Sequence, residues 1–318
     1  MKKMMLISAI ISAFMLLMPL AVLGQVEKPE TDVVETVAAV KEEKETKDIF
    51  RVYDKTSKKT TEIVAEDYIF GVVAAEMPAL YETEALKAQA VAAYTYACYK
   101  RELNKKADYD ITSDFSTDQS FKTEEKARED WGVNAEEYVQ KIKSVIKSVS
   151  GKCMYYENKP IFAAYHAVSS GKTYSAKDVW GKEIEYLNSV ESNGDKESKK
   201  YSAVLEFDES ELQEKLSSLV DKKNKNTAVL GTLKAKKSGL VKSVKVYGND
   251  IAGSEIRSVL DLPSSNFEFE KRKGKYIFNC LGYGHGVGMS QHGANFMAKQ
   301  GYNYKQILSH YYSDITIK

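Results

Sequence analysis

The sequence predicts an α+β fold: a main body of mixed helices and short antiparallel strands, a smaller inserted lobe with a cleft between the two, and one N-terminal transmembrane helix ahead of them. Three observations predict it. Short runs of β-branched and aromatic residues bounded by Gly, Asn and Lys turns read as strands. Apolar residues at helical spacing, as at Val139, Ile142, Val145, Ile146 and Val149, read as helix faces. The two segments richest in reactive side chains, near residues 76 and 285, flank a lysine-rich stretch of about residues 184–277 that reads as an insertion.

In order along the chain, Lys2 and Lys3 precede residues 4–24, an uncharged and overwhelmingly apolar stretch of about the 20 residues that span a bilayer. The positive-inside rule keeps the two lysines in the cytoplasm and sends residues 25 onward to the wall side. A signal cleaved after Gly24 is the alternative, but the apolar stretch exceeds the roughly 7–15 residues of a signal core and favours an uncleaved anchor. Residues 25–48, a Glu/Lys/Thr/Val mixture with one Pro, read as a flexible stalk. Residues 49–318 form the functional domain.

Within it, residues 49–53 and 61–64 read as strands around a turn at 54–58. Residues 67–76 read as a short helix with Asp67 as N-cap; Pro78 biases Met77 away from helical ψ. A second helix runs over 84–97. Residues 108–121, rich in Asp, Ser and Thr, are too polar for core and are expected to line the cleft near Glu76. The helix carrying Val139 and Ile142 closes at Gly151. Residues 153–156 and 161–168 read as a hairpin that delivers His166, Ser169 and Ser170 to its end. The lobe holds strands at 201–207 and 240–246, a helix at 209–220 and a short element at 258–263. A last helix, 304–312, is expected to cover the glycine-rich segment before it.

Composition excludes several functions. Lys and Arg (46) balance Asp and Glu (45), and no basic stripe interleaves with aromatics, so nucleic acid is not a partner. The 21 tyrosines fit ordinary packing or sugar stacking. Cys98, Cys153 and Cys280 are widely spaced with no CxxC, which argues against a disulfide framework or a zinc ribbon. Cys98 and Cys280 read as small core residues.

Two motifs carry chemistry. Residues 282–293 hold five of the eighteen glycines, with His285, Ser290, Gln291 and His292. Alternating glycines at 282, 284, 286 and 288 exceed what one turn needs; they read as a site wall where Gly286 opens the main chain to a polymer and His285 contacts it. Neither a P-loop lysine nor a dinucleotide fingerprint is present. The other motif is Tyr68-Ile-Phe-Gly-Val-Val-Ala-Ala-Glu76-Met-Pro78, a lone carboxylate ending an apolar helix. Desolvation by Val72, Val73 and Met77, together with the negative end of the helix dipole, is expected to raise its pKa toward that of a general acid.

Together these motifs resemble the stage II sporulation protein D family, which includes peptidoglycan lytic transglycosylases and amidase enhancers. The likeness lies in the Gly-Val-Val run ending in Glu-Met-Pro and the Glu-Ala-Leu-Lys-Ala-Gln-Ala-Val-Ala-Ala that follows, at 71–93, and in Gly-His-Gly-Val-Gly-Met-Ser-Gln at 284–291. Weaker correspondences fall at Ser116-Thr-Asp-Gln119, at residues 165–173 and at Val179-Trp180, so it covers roughly residues 50–315. The resemblance implies Glu76 as catalytic acid and substrate contacts from Lys87, Gln89, Asp118, Gln119, His166, Ser169, Ser170, His285, Gly286, Ser290 and Gln291. It implies cleavage of glycan strands stripped of stem peptides by a partner amidase of the stage II sporulation protein P type, in septal wall remodelling and engulfment.

Two departures qualify it. Tyr94 stands where the family usually has Arg, removing a cationic contact. Some members carry a Cys/His zinc cluster after the long helix, but neither residue type occurs between Tyr99 and Lys152, so no metal and no cofactor is expected. A hydrolase ordinarily needs two carboxylates, with Asp110, Asp114 and Asp118 as candidates for the second; a lytic transglycosylase works with one. The alternatives are a non-catalytic wall-binding amidase enhancer and, more remotely, a metallohydrolase built on His166, His285, His292 and His310.

Overall fold

Helix formation around Glu76 follows from small and apolar residues placed where neighbours crowd in. The computed structural model describes residues 47–114, 117–220 and 227–318. The expected membrane anchor and nearly all of the stalk lie outside them. Among the described residues no helix is long and apolar enough to cross a membrane.

The domain opens with β1 (Ile49–Asp54) and β2 (Lys59–Val64), an antiparallel hairpin, and continues directly into α1 (Ala65–Glu76). The helix starts two residues before the predicted point: Val64 is the N-cap, and Asp67 lies in the first turn beside Glu66, where carboxylates oppose the positive end of the dipole. Tyr68, Ile69, Phe70, Val72 and Val73 are all buried, so α1 is a central helix rather than an amphipathic one. Met77 is extended as Pro78 demands.

Alanines at 85, 88, 90, 92, 93 and 97 are buried in α2 (Thr83–Leu103), a helix thin enough for neighbours to approach from several sides. It runs six residues past the predicted end. β3 (Ile111–Thr112) pairs in parallel with β1. The polar segment after β3 crosses α1 at Gly71, where a Cβ would collide with Phe121 and with the Lys122 carbonyl. Glycine costs a helix interior about 1 kcal/mol relative to Ala. Here it lets residues 117–122 lie against α1, one turn before Glu76.

α3 (Glu124–Trp131) and α4 (Ala135–Ser148) follow, with Val139, Ile142, Val145 and Ile146 buried as their spacing predicts. β4 (Met154–Tyr156) and β5 (Lys159–Pro160) form a hairpin, its turn made by Glu157 and Asn158 at positive φ; the second strand expected at 161–168 does not pair with β4, and only residues 165–166 of it are strand. β6 (Tyr165–His166) and α5 (Ala176–Trp180) lead to the second half.

A second hydrophobic core then appears, built from Phe207 to Cys280 around Leu212, Leu216, Val244, Val246, Ile256 and Phe278. Its elements are β7 (Ser202–Asp208), α6 (Glu209–Leu216), β8 (Leu230–Ala235), β9 (Val241–Val246), β10 (Asn249–Ala252), α7 (Gly253–Val259), β11 (Phe267–Arg272) and β12 (Lys275–Leu281). They form two three-stranded sheets, β10-β9-β8 and β11-β12-β7. This core starts later than the predicted insertion: Leu187 is buried in the first core, with Ile184, Tyr186 and Val190 packed on it. The short element expected at 258–263 is the end of α7 and its exit turn.

β13 (Met289–Ser290) pairs in parallel with β6, and α8 (Gln291–Lys299), α9 (Tyr304–Tyr311) and β14 (Thr316–Ile317) complete the chain. As expected, α9 and its flank lie over the glycine segment, where Tyr312 donates a 2.7 Å hydrogen bond to the Ala164 carbonyl. Cys280 is core. Cys98 is only half-buried, however, and its thiol lies against that of Cys153, because Thr95, one turn earlier, accepts the Met154 amide at 2.9 Å. All three cysteines are free.

Candidate active site

Between α1, residues 117–120, the β6 strand and the glycine segment lies a cavity of about 860 Å³. Of the residues named from the sequence, Glu76, Asp118, Gln119, His166, His285 and Gln291 line it. Its walls also carry Tyr96, Phe162, Tyr165, Trp180, Lys200, Arg257 and Tyr283.

The end of α1 brings Glu76 to the cavity while Val72 and Val73 point into the core. Its two carboxylate oxygens are held separately: Oε1 accepts the Ser120 amide at 3.0 Å, and Oε2 faces Gln291 Nε2 at 3.5 Å. Gln291 is shared, its Nε2 also 3.4 Å from Gln89 Oε1. Gln89 is fully buried behind it, with Nε2 unpartnered. The expected dry apolar setting is therefore absent; two N–H donors fix the carboxylate instead.

Asp118 is the other carboxylate on the cavity wall, and it is already matched. Lys100 Nζ lies 2.7 Å away, and the Tyr96 hydroxyl (3.1 Å) and Thr112 amide (2.9 Å) donate to it. Asp110 and Asp114 do not line the cavity: Asp110 is buried and forked by Arg51, and Asp114 pairs with Lys55. Gln119 is locked among Tyr68, Tyr165 and the Ala93 carbonyl.

The two cavity histidines have opposite tautomers fixed by one residue. His166 Nδ1 lies 3.1 Å from the Val287 carbonyl, which can only accept, so Nδ1 carries the proton. His285 Nδ1 accepts the Val287 amide at 3.1 Å, which leaves the proton on Nε2. Burial lowers the pKa of His166 to about 3 and that of His285 to about 4, so both rings are neutral near pH 7. The rings stand 5.7 Å apart, and Trp180 lies tilted between two neighbours, its ring 5.4 Å from His285 and 5.4 Å from Phe162. Trp180 and Tyr283 remain 40% and 45% exposed, an open aromatic rim.

The other predicted contacts lie behind the wall. Ser290 is buried as the N-cap of α8, accepting the Gly293 amide and donating to Asp195 at 2.8 Å. The Ser169 amide donates to the other oxygen of Asp195 at 3.0 Å, and Ser170 bonds the Tyr174 hydroxyl. Lys87 pairs with Glu84, whose other oxygen accepts the Tyr304 amide, a tie between α2 and α9. Gly286 is a correction. Its φ is +78°, its carbonyl accepts the Tyr174 amide, and a Cβ there would enter the Tyr174 ring. The alternating glycines serve close packing on residues 164–174 rather than approach by a polymer; Gly284 likewise lies on His166.

Sequence reasoning missed Asp195, whose buried carboxyl is raised above the usual carboxylate range by desolvation, and the two cations Lys200 and Arg257. Nothing in local pattern marks Asp195. The lysine-rich character of its surroundings hid Lys200, and Arg257 lies in a lobe helix not predicted at that position. Tyr94 is not in the cavity; its hydroxyl donates to Asp48 at 2.8 Å.

Comparison with known proteins gives the class. The model of the stage II sporulation protein family matches residues 53–156, the stretch that includes α1 and the Glu76 wall. Stage II sporulation protein D of Bacillus amyloliquefaciens is 36% identical over 270 residues, covering 84% of this chain and 77% of that protein. The protein of the same name from Bacillus subtilis (strain 168) is also 36% identical, with 84% and 78% covered. The amidase enhancer of B. subtilis is 27% identical over 300 residues, 78% of this chain but 40% of that longer protein. Fold, cavity and likeness thus define a sporulation protein. The chain belongs to the stage II sporulation protein D family.

Proposed function

We propose that this protein is a peptidoglycan lytic transglycosylase that cuts the MurNAc-GlcNAc bond of glycan strands already stripped of stem peptides. The observation carrying the reading is a cavity with one carboxylate free to react: Glu76 has only neutral N–H partners, whereas Asp118 is neutralised by Lys100. Hydrolysis with two carboxylates has no second free acid on this wall among the described residues.

Glu76 donates its proton to the glycosidic oxygen as the bond to MurNAc C1 breaks. The C6 hydroxyl of the same MurNAc then bonds to C1, and its proton passes to the Glu76 carboxylate. The ring closes as a 1,6-anhydro sugar and water is not consumed. Ser120 and Gln291 hold the carboxylate through both transfers, and Trp180 and Tyr283 offer faces for sugar rings. A partner amidase supplies the substrate, and the N-terminal apolar segment holds the domain at the membrane on the wall side. Among the described residues no group of three or more potential ligands could hold a metal, and the mechanism uses none.

The test is digestion of denuded glycan with mass spectrometry of the ends. Glu76→Gln should lose about 10²–10⁴-fold or more of the anhydro-muramyl product with an unchanged melting temperature; a folded variant with near-normal turnover refutes the assignment. The likeness to the amidase enhancer supports a second reading, wall binding without cleavage. Unchanged glycan together with faster amidase action would establish it.

A further inference from the structure

Arg257 is a cation held in the cavity wall without an anion. It stands on α7, its Nε donates at 3.3 Å to the Leu262 carbonyl, and no carboxylate of the described residues lies within ion-pair distance of it. Lys200, on the same wall, is likewise unpaired among the described residues and rests 4.9 Å over the Tyr283 ring. A partly buried guanidinium without a counter-charge is costly, and burial already presses the Arg257 pKa below its ordinary value. The cost is removed when a ligand brings the anion.

We infer that Arg257, assisted by Lys200, binds the free lactyl carboxylate of a stem-peptide-free muramyl residue and so makes the site selective for denuded glycan. The inference rests on the glycan-cleaving reading and deepens it. A glycan strand of alternating GlcNAc and MurNAc is neutral apart from one carboxyl per disaccharide, carried on the lactyl group of MurNAc. In intact wall that carboxyl is consumed in the amide to the stem peptide, so its charge is gone and a peptide occupies its place. Amidase action restores a planar carboxylate, the group whose two oxygens match the guanidinium fork. The charges of the cavity come from separate parts of the chain: the acids Glu76 and Asp118 from the end of α1 and the segment after β3, the unmatched cations Lys200 and Arg257 from the segment before β7 and from α7.

Binding, measured apart from cleavage, tests this. Full-length Glu76→Gln protein in detergent is titrated with denuded glycan, with the same glycan after carbodiimide conversion of its carboxylates to methylamides, and with chitin oligosaccharide, which has no lactyl group. A charge-assisted contact of this kind should favour the carboxylate form about 10–100-fold. Arg257→Gln should erase that preference while leaving the affinity for chitin oligosaccharide unchanged, and Lys200→Gln should reduce it. Equal binding of the carboxylate and methylamide glycans, a preference that survives Arg257→Gln, or no binding of denuded glycan overturns the inference. A melting curve accompanies each variant; if Arg257→Gln unfolds, Lys200→Gln and the three-ligand comparison decide. Failure of wild-type protein to cleave denuded glycan would instead refute the lyase reading, and the binding ratio would still stand or fall by itself.

Discussion

Replacing Gly286 by Ala tests whether the glycine segment is a packing device. The substitution meets two separable costs. At a φ of +78° an L-residue is strained by about 1–2 kcal/mol. The added methyl also enters the Tyr174 ring, an overpacking that costs about 1–3 kcal/mol. The ring cannot simply swing away, because its hydroxyl is bonded to Ser170 at 2.6 Å and to Asn266 at 2.8 Å. Gly274, at the β11–β12 turn with φ of +84° and open space where a methyl would stand, supplies the control for strain alone. Gly286→Ala should therefore be less stable than Gly274→Ala by about 1–3 kcal/mol. For a domain of this size that is a melting temperature lower by roughly 2–12 °C. Thermal melts of both variants and wild type, monitored by circular dichroism, read the difference. Equal melting points for the two variants would refute the packing argument, and loss of glycan cleavage without loss of stability would restore the polymer-approach reading.

Other outcomes follow from the same geometry. Because burial lowers the folded pKa of His166 to about 3, the native state binds fewer protons than the unfolded chain; stability is full above the unfolded value and is lost as pH falls from there toward about 3. Near pH 5 this ring should cost about 2 kcal/mol, His285 acting in the same direction, and His166→Gln should flatten the acid limb in urea titrations. Ser290→Ala removes the α8 cap and one of the donors to buried Asp195, which should cost about 2–4 kcal/mol in urea unfolding; a loss under 1 kcal/mol would show that Asp195 finds another donor. Full-length protein should fractionate with membranes while a chain starting at Lys47 should not, and a mature N-terminus at Gln25 would instead mark a cleaved signal.

The parts of the site legible in the sequence are those with local signatures. A carboxylate ending an apolar helix before Pro, a polar segment too hydrophilic for core, and histidines in a glycine-rich run all report their surroundings through neighbours in the chain. Ser290 and Gly286 suggest the wrong partner, since a buried N-cap and a ligand-facing hydroxyl have the same residue type, and positive φ serves packing and access alike. Asp195 and Arg257 give no signal, because what distinguishes them is burial and the absence or presence of a partner far along the chain. The start of the second core is misplaced by sequence for a related reason: Ile184 to Val190 are ordinary loop-like residues until Leu187 is seen under α5.

The parallel pairing of β6 with β13 sets an order on synthesis. When the first 280 residues exist, α1 with Glu76 can fold against α2 and α4, but Gln291 and the glycine segment that carries His285 have not yet been made. The chain thus completes its acid early and its site last. A premature stop anywhere in the second core leaves a fragment that holds Glu76 but lacks Gln291 and His285, and lacks Ile307, Leu308, Tyr311 and Tyr312, which complete the first core; on the proposed mechanism an unfinished molecule should therefore spare the polymer.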